Sequence, residues 1–514
     1  MNIGPCWHHS FSQRSSGVLL HVTSLPGLHG SGDLGAEALQ FIEFLEQAGQ
    51  SWWQMLPVNP PGRAPAFSPY DAASAFAGSP WLVSLDRLAA EGLLTPGEAA
   101  PPSRPSTRRV DFAATQLHRE EGLRRAFAAF RRRRGERTQA YQEFRDTHRD
   151  WLEDYALFAA LRRASGGQPW TAWEPDVRGC RPSDLRAANE RLREEVAAQR
   201  FVQYAFDRQW RALRLHAQRH GIGLIGDVPI FVAHDSADVW RHQELFQLDA
   251  AGLPRQLSGY PPDRFNRRGQ HWGHPQYRWE AHTAADFAWW VRRFARLFEL
   301  FDAVRIDHFL GFTRTWSIPA EAPDATRGRW VPSPGWRLLA AVRRRLGPRP
   351  MIAEDLGHVT EADRRLRDAF ELAPMRLFQF GFGKDPDSTD HLPHNYPALC
   401  AAYPGTHDND TTRGWFGHLT ASERRRVLAY TGGSSSTIHL DSRRALLASS
   451  AALVICPVQD LLGLDSEARM NVPGTVSGNW GWRLNRLPSQ ALARRIRLQT
   501  ELFQRNPRPP LPNH

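Results

Sequence analysis

The sequence predicts an α/β protein, a (β/α)8 TIM barrel with large inserted helical subdomains, and three observations predict it. Short apolar runs bounded by Gly, Pro or Asp recur along the chain, and eight of them read as buried strands. Most are followed by helical spacing, which argues for parallel strands covered by helices. Acidic residues stand where several runs end, and a barrel presents its chemistry at the C-terminal ends of its strands. At roughly 150 residues per domain, 514 residues would suggest about three domains, but one barrel grown by insertion fits the length equally well.

In order, the runs are Val18 to Val22, Trp52 to Leu56, Gly223 to Asp227, Asp302 to Ile306, Met351 to Glu354, Met375 to Gln379, Ala401 to Gly405 and Leu453 to Pro457. Phe41, Ile42, Leu45 and Ala48 mark one face of a helix after the first run. Phe287, Trp290, Val291, Phe294, Leu297 and Phe298 do the same before the fourth, with Thr283 and Asp286 spaced as a capping box. Thr360 with Asp363, and Thr420 with Glu423, repeat that box at two further helix starts.

Two connections are too long for simple loops. Residues 57–221 are Arg-rich and mainly helical, with helices expected near 116–133, 139–164 and 184–199, and read as an inserted subdomain between strands 2 and 3. Residues 228–282 contain GYPPDRFNRRGQHWGHPQYRWE, rich in turn residues and aromatics without a period, and read as an insertion bearing an active-site lid. The whole, residues 1–514, reads as one catalytic barrel, and Gly432 to Ser436 as a surface loop.

With 41% hydrophobic and 23% charged residues the chain is globular rather than disordered. Its 19 tryptophans suit stacking on sugar rings or bases, and equally suit core packing. The net charge of +11 raises the question of nucleic acid or an anionic membrane. Lys384 is the sole lysine, so the basic character is a general use of arginine, and only Arg131 to Arg134 forms a pure basic run, of the kind that is usually a solvated helix face. Neither partner is expected. Cys6, Cys180, Cys400 and Cys456 have neither zinc nor disulfide spacing, no run approaches membrane-spanning length, and the N-terminus has no signal-peptide pattern, so a cytoplasmic protein is expected.

The acids at strand ends are Asp227 after the third run, Asp307 after the fourth, Glu354 at the end of the fifth, and Asp408 with Asp410 after the seventh. Any one could be a helix cap or an ion-pair partner. Together they repel one another unless chemistry or cations justify them. Glycoside cleavage needs such a set: a proton donor for the leaving oxygen and a second carboxylate across the sugar ring. Arg305 lies two residues before Asp307 on a strand, on the same face, where its charge would keep Asp307 ionised as a nucleophile. Glu354 follows Met351, Ile352 and Ala353, apolar surroundings that favour a protonated acid. Metal is the competing use, but GTHDND lacks EF-hand spacing and His271 with His274 is no HExxH pair, so neither metal nor cofactor is expected.

The motifs GVLLHVTSLPG, FSPYDAASAFAGSPWL, GDVPIFVAHDSADVW, PPDRFNRRGQHWG, RIDHF, IAEDLG, LPHNY, GTHDNDTTRGW, QDLLGLDSEARMN and GNWGWR run almost end to end in one order. On them the chain resembles the 4-α-glucanotransferases known as amylomaltase or disproportionating enzyme, relatives of the α-amylase superfamily. The resemblance implies a barrel without the C-terminal β-sandwich of amylases, acting on α-1,4-glucans and maltooligosaccharides; a monomer or weak homodimer is expected. It implies a retaining transfer with Asp307 as nucleophile, Glu354 as acid/base and Asp408 as transition-state stabiliser, Arg305 and His407 positioning the nucleophile and binding the reacting glucose. It further implies substrate contacts at Ser68, Tyr70, Asp227, Phe380 and Asn479, and a cleft-covering loop with Asp263, Gln270 and Trp272. Two departures touch glucan subsites: Leu310 replaces the usual arginine after RIDHF, and the loop PPGRAPAF lacks the family's tyrosine and Gly-Asp. The rival readings are a hydrolase on the same scaffold and a noncatalytic nucleic-acid-binding protein.

Overall fold

The computed structural model describes residue 11 and residues 13–62, 67–101, 109–263 and 266–506. Arg63 to Ala66 of the PPGRAPAF loop, and Cys6, lie outside the described residues. The described strands, in chain order, are β1 (Ser15–Leu19), β2 (Trp52–Gln54), β3 (Gly223–Val228), β4 (Gln256–Tyr260), β5 (Gln270–Pro275), β6 (Ala303–Ile306), β7 (Arg314–Pro319), β8 (Arg329–Pro332), β9 (Met351–Ala353), β10 (Ala373–Leu377), β11 (Ala401–Tyr403) and β12 (Leu453–Pro457).

Eight of them close a parallel barrel in the order β1-β2-β3-β6-β9-β10-β11-β12, with Ser15 opposite Leu453 at the closure. Parallel strands packed inside and out carry apolar side chains on both faces, which is why they stand out as unbroken runs. Every residue of β1, β2, β3, β6, β9, β11 and β12 is buried. Gly226 belongs to that packing: a Cβ there would come 2.3 Å from the Phe301 ring.

All eight expected runs contribute a strand, several ending a residue or two before the run does, and two strands are displaced along the chain. The first strand ends at Leu19, because Val22–Ser24 coils into a 3-10 turn. The sixth begins at Ala373 and ends at Leu377, because Phe378–Phe382 is a 3-10 helix at the barrel mouth.

The boxes at Thr360 and Thr420 cap helices Glu361–Ala369 and Ala421–Thr431. That at Thr283 does not form. Thr283 belongs to helix Trp279–Ala284, which the Phe287 N–H closes on His282 O at 2.8 Å, and left-handed Asp286 and Phe287 separate it from helix Ala288–Leu300. The Asp286 carboxylate instead meets Arg344 at 2.7 Å and Arg345 at 3.2 Å.

Between β2 and β3 the chain is largely helical. The expected helices are Phe112–Arg132, a pair Gln139–Thr147 and Arg149–Ala164 broken at His148, and a pair Pro182–Arg191 and Arg193–Arg219 broken at Leu192. On the last of these, Gln203 takes both backbone groups of Gly78 (2.8 and 2.9 Å) and Gln209 both of Ser84 (2.7 and 3.1 Å). Those side-chain amides satisfy buried loop backbone where no strand runs alongside. The same loop is tied to the segment after β3, by Ala237 N–H to Ala73 O at 2.9 Å and Ala75 N–H to the Asp238 carboxylate at 2.8 Å.

The long connections after β3 and β6 hold structure that the sequence pattern hid. They supply an antiparallel four-stranded sheet in the order β5-β4-β7-β8, with a bulge between Leu257 and Gly259. Its residues mix buried, half-buried and exposed positions without regular alternation. After β12 the described chain continues in short helices and ends in helix Gln490–Leu502.

Candidate active site

The site is built at the C-terminal ends of β3, β6, β9 and β11. Alternation along β6 puts Arg305 inside the barrel and Asp307 above it on the same side. The Asp307 N–H reaches Val228 O on β3 at 3.0 Å, and the Glu354 N–H reaches Ile306 O on β6 at 3.1 Å, so neighbouring strands fix both backbones beyond the ladder. The chain then turns through left-handed His308 (φ 49°), a conformation uncommon outside glycine that histidine tolerates better than most. The turn aims the His308 N–H at Glu354 Oε2, 2.7 Å away.

Arg305 is the hub. It is fully buried, and its Nη1 donates to Asp227 Oδ1 and Oδ2 at 2.7 and 2.6 Å and to Asp307 Oδ1 at 3.1 Å, while Nη2 lies 2.9 Å from Glu354 Oε1. One guanidinium therefore serves acids from three neighbouring strands. It does not single out Asp307, as spacing alone suggested.

Exposure separates the acids. Side chains of Asp307, Glu354 and Asp408 are 24%, 18% and 34% exposed and open to the cleft, whereas that of Asp227 is 0% exposed and sits behind them. Burial first, and then the negative charge of Glu354, push the Asp307 carboxyl well above the usual carboxylate range, with Arg305 pulling the other way. Burial likewise raises Asp227, against the pull of Arg305. The surrounding carboxylates keep the Arg305 guanidinium charged despite its burial.

On the opposite side, the Tyr70 hydroxyl donates to Asp227 Oδ2 at 2.7 Å and lies 2.8 Å from His407 Nε2. The two rings stack with centroids 5.3 Å apart, and both adjoin Trp480. His407 Nε2 is 3.3 Å from Asp408 Oδ2, and Asn471 donates to Asp408 Oδ1 at 2.6 Å. Asp410, the other acid of GTHDND, accepts from Ser466 Oγ at 2.6 Å.

The remaining expected residues are placed as follows. Trp272, on β5, donates to Gln270 Oε1 at 3.0 Å and meets the His308 ring edge-on at 4.9 Å, which joins β5 to the turn below Glu354. Asp263 accepts the Asn266 N–H at 2.7 Å in the loop between β4 and β5. Ser68 accepts the Tyr70 N–H at 3.2 Å. Phe380 is edge-on to His391 at 5.5 Å. The Asn479 amide bonds Val472 N–H and Thr475 within its own loop at 3.0 Å. Leu310, the departure after RIDHF, is completely buried.

Several residues of the site were not singled out by sequence reasoning. His308 contributes through its backbone N–H, which composition cannot show, although it stands inside RIDHF. Asn471 and Arg469, which donates to Asp408 O at 2.6 Å, stand inside the QDLLGLDSEARMN motif. Tyr260 adjoins His308 edge-on at 5.8 Å and hydrogen-bonds His358 at 2.8 Å. Among the described residues, the groups of His, Cys, Asp and Glu with metal-ligand spacing reduce to Glu43, His216 and His220, outside this cluster.

A family model described as 4-alpha-glucanotransferase matches residues 20–489. The chain is 45% identical over 480 residues to the 4-alpha-glucanotransferase of Thermus thermophilus, covering 92% of this chain and 95% of that protein. It is 43% identical to that of Synechocystis, covering 96% and 98%, and 39% identical to the chloroplastic/amyloplastic protein of Solanum tuberosum, covering 92% and 82%. Among solved structures it is similar to an amylomaltase from Streptococcus agalactiae in complex with acarbose, at a TM-score of 0.90 and 34% identity over 96% of this chain and 100% of that one.

Proposed function

The chain belongs to the family of 4-alpha-glucanotransferases, and on that premise we propose how its cleft carries out the transfer. The protein is an enzyme, a transglycosylase of α-glucans. In our reading, Glu354 protonates the glycosidic oxygen while Asp307 attacks the anomeric carbon, giving a covalent glucosyl enzyme with retention after the second step. The 4-hydroxyl of a glucan or glucose acceptor then replaces water, with Glu354 taking its proton. Donors are α-1,4-linked maltooligosaccharides or amylose, and a donor whose own end returns as acceptor would close a ring.

The observation that carries this is the Arg305 guanidinium touching two cleft-facing acids from adjacent strands, Asp307 at 3.1 Å and Glu354 at 2.9 Å. It supports two carboxylates held side by side at the cleft floor, where one can give a proton to the leaving oxygen while the other attacks. Asp408, held by Asn471 and beside His407, is placed to grip sugar hydroxyls and tighten as the ring flattens. Asp227 is buried and acts through Arg305 and Tyr70, as a positioning residue. We assign Ser68, Tyr70, Phe380 and Asn479 to the cleft walls and Asp263, Gln270 and Trp272 to the lid that keeps water from the intermediate. The acarbose complex of the similar streptococcal amylomaltase supports placing an oligosaccharide here.

We further read residues 57–221 as an inserted mainly helical subdomain and 228–282 as the lid-bearing insertion of one barrel spanning 1–514. The enzyme is proposed to work as a monomer or weak homodimer in the cytoplasm, without nucleic acid or membrane. Among the described residues no helix is long and apolar enough to cross a membrane.

Maltotriose tests the reading. Transfer yields glucose and a ladder of longer maltooligosaccharides, whereas glucose and maltose without longer products would place a hydrolase on this scaffold.

A further inference from the structure

At the other end of the barrel, two helices bring imidazoles and carboxylates together. His216 lies in the last turn of helix Arg193–Arg219, and His220 caps it one turn on. Helix Ala36–Gln47, between β1 and β2, faces them with Glu43 and Glu46. His216 Nε2 is 3.5 Å from Glu43 Oε1, His220 Nδ1 is 2.8 Å from Glu46 Oε2, and the two ring centroids are 4.4 Å apart.

One ligand atom each from Glu43, His216 and His220 lies within 4.8 Å of the others. Tetrahedral ligands about 2 Å from zinc stand about 3.3 Å apart, so half-exposed side chains need only a small closure. A second observation points to an ion: His216 Nε2 is shut off from solvent and makes no hydrogen bond, its carboxylate neighbour Glu43 Oε1 standing off at 3.5 Å. A polar nitrogen left that way is costly, and a metal ion satisfies it.

We propose that Glu43, His216 and His220 form a structural site for a zinc-like dication, which clamps the helix before β3 to the helix before β2, with Glu46 holding the His220 ring. Two imidazoles and a carboxylate suit zinc, whereas magnesium and calcium prefer oxygen ligands alone. The site is structural by position. It precedes β2 and β3, while the carboxylate cleft follows the C-terminal strand ends, and HAQRH has no glutamate after its first histidine to act as a base.

The test uses the full-length protein, stripped with EDTA and titrated with zinc chloride by calorimetry and thermal melting. One ion should bind with a Kd on the order of micromolar and raise Tm, because a ligand of the folded state stabilises it by mass action. The double substitution His216→Ala with His220→Ala should weaken binding at least about 100-fold and remove the Tm rise. Glu46→Gln should weaken it about tenfold, as losing an orienting partner does. Cobalt should give the intense visible bands of a tetrahedral site in the parent protein alone. No zinc binding up to 100 μM, or binding and a Tm rise unchanged in the double variant, would overturn the proposal.

Discussion

Arg305 and Arg505 are both completely buried, at opposite ends of the same barrel, and they are satisfied in opposite ways. Arg505 donates to backbone carbonyls: Nε to Leu447 at 2.7 Å, Nη1 to Ala451 at 2.7 Å and Ser15 at 3.3 Å, and Nη2 to Ser449 at 2.9 Å. Ser15 begins β1 and Ala451 leads into β12, so this arginine pins the C-terminal segment to the barrel closure. Arg305 is held by carboxylates instead, and it leaves more acid in the cleft than one guanidinium can neutralise. Neutral acceptors finish the job of burial, whereas surplus charge keeps the opposite end poised for a proton and a substrate. The arginine at the closure serves stability, and the one in the cleft serves chemistry.

The largest effect that would sharpen this contrast is that of Asp307→Asn. The amide keeps size and burial but removes the nucleophile, so turnover of maltotriose should fall by at least about 10^4-fold with Tm held or raised. Turnover within tenfold of the parent would take Asp307 out of the nucleophile role. Next is Arg305→Lys, which keeps the charge but cannot fork between acids on three strands. Its kcat should drop about 100-fold to 1000-fold while the chain stays folded by circular dichroism, and an unchanged kcat would break the hub reading.

These two sites were not equally legible. Asp307, Glu354 and Asp408 could be placed from the sequence because parallel barrel strands are unbroken apolar runs and the acids stand at their ends. Arg305 was legible only as a partner of Asp307. Its bonds to Asp227 and Glu354 depend on which strands are neighbours, a property of barrel closure. His308 was missed because its contribution is a backbone N–H in a left-handed turn, and Asn471 because it reaches Asp408 from 63 residues away. The sheet of β4, β5, β7 and β8 escaped because its half-exposed strands, the bulge at Gly259 and the prolines at their ends blur the period of two. Thr283 with Asp286 matched the capping-box spacing by chance, since the preceding helix already contained Thr283. Arg505 carries no sequence signal, for its acceptors are all main chain.

At the structural end, Arg505→Ala strips charged donors from four buried carbonyls and should cost about 3 kcal/mol of stability. The kcat of the folded fraction should not change. A large kcat loss at 25 °C would show that the two ends are coupled and that the contrast is overdrawn.

Acid should loosen the fold outside the cleft. Burial lowers His391 and His148 to about 3, and the His391 Nδ1 accepts the Leu377 N–H at 3.1 Å, which requires the neutral ring. Between about pH 6.5 and 3 the unfolded chain binds protons that the folded chain does not, so stability rises with pH through that window and is lost as pH falls through it. By pH 5 each such histidine withdraws about 2 kcal/mol relative to neutral pH. Tm measured from pH 7 to 4 should fall steadily, and His391→Gln should shallow the slope. An unaltered slope in that variant would assign the acid limb to other groups.

The smallest effect probes the lid, which bears on whether surplus charge at the active end is protected from water. Trp272 holds Gln270 on one side and abuts His308 on the other, so its ring links the cleft cover to the turn that aims an N–H at Glu354. Two roles are separable in Trp272→Ala. If the ring excludes water, glucose release by hydrolysis should rise relative to transfer from maltotriose, with the transfer rate down about tenfold. If it only steadies His308, both reactions should fall together and their ratio should not move. The geometry favours the first outcome, because the His308 amide is already fixed by its own bond to Glu354 and by the Phe309 N–H bonding Glu354 O at 3.1 Å, leaving the ring free to serve as a cover.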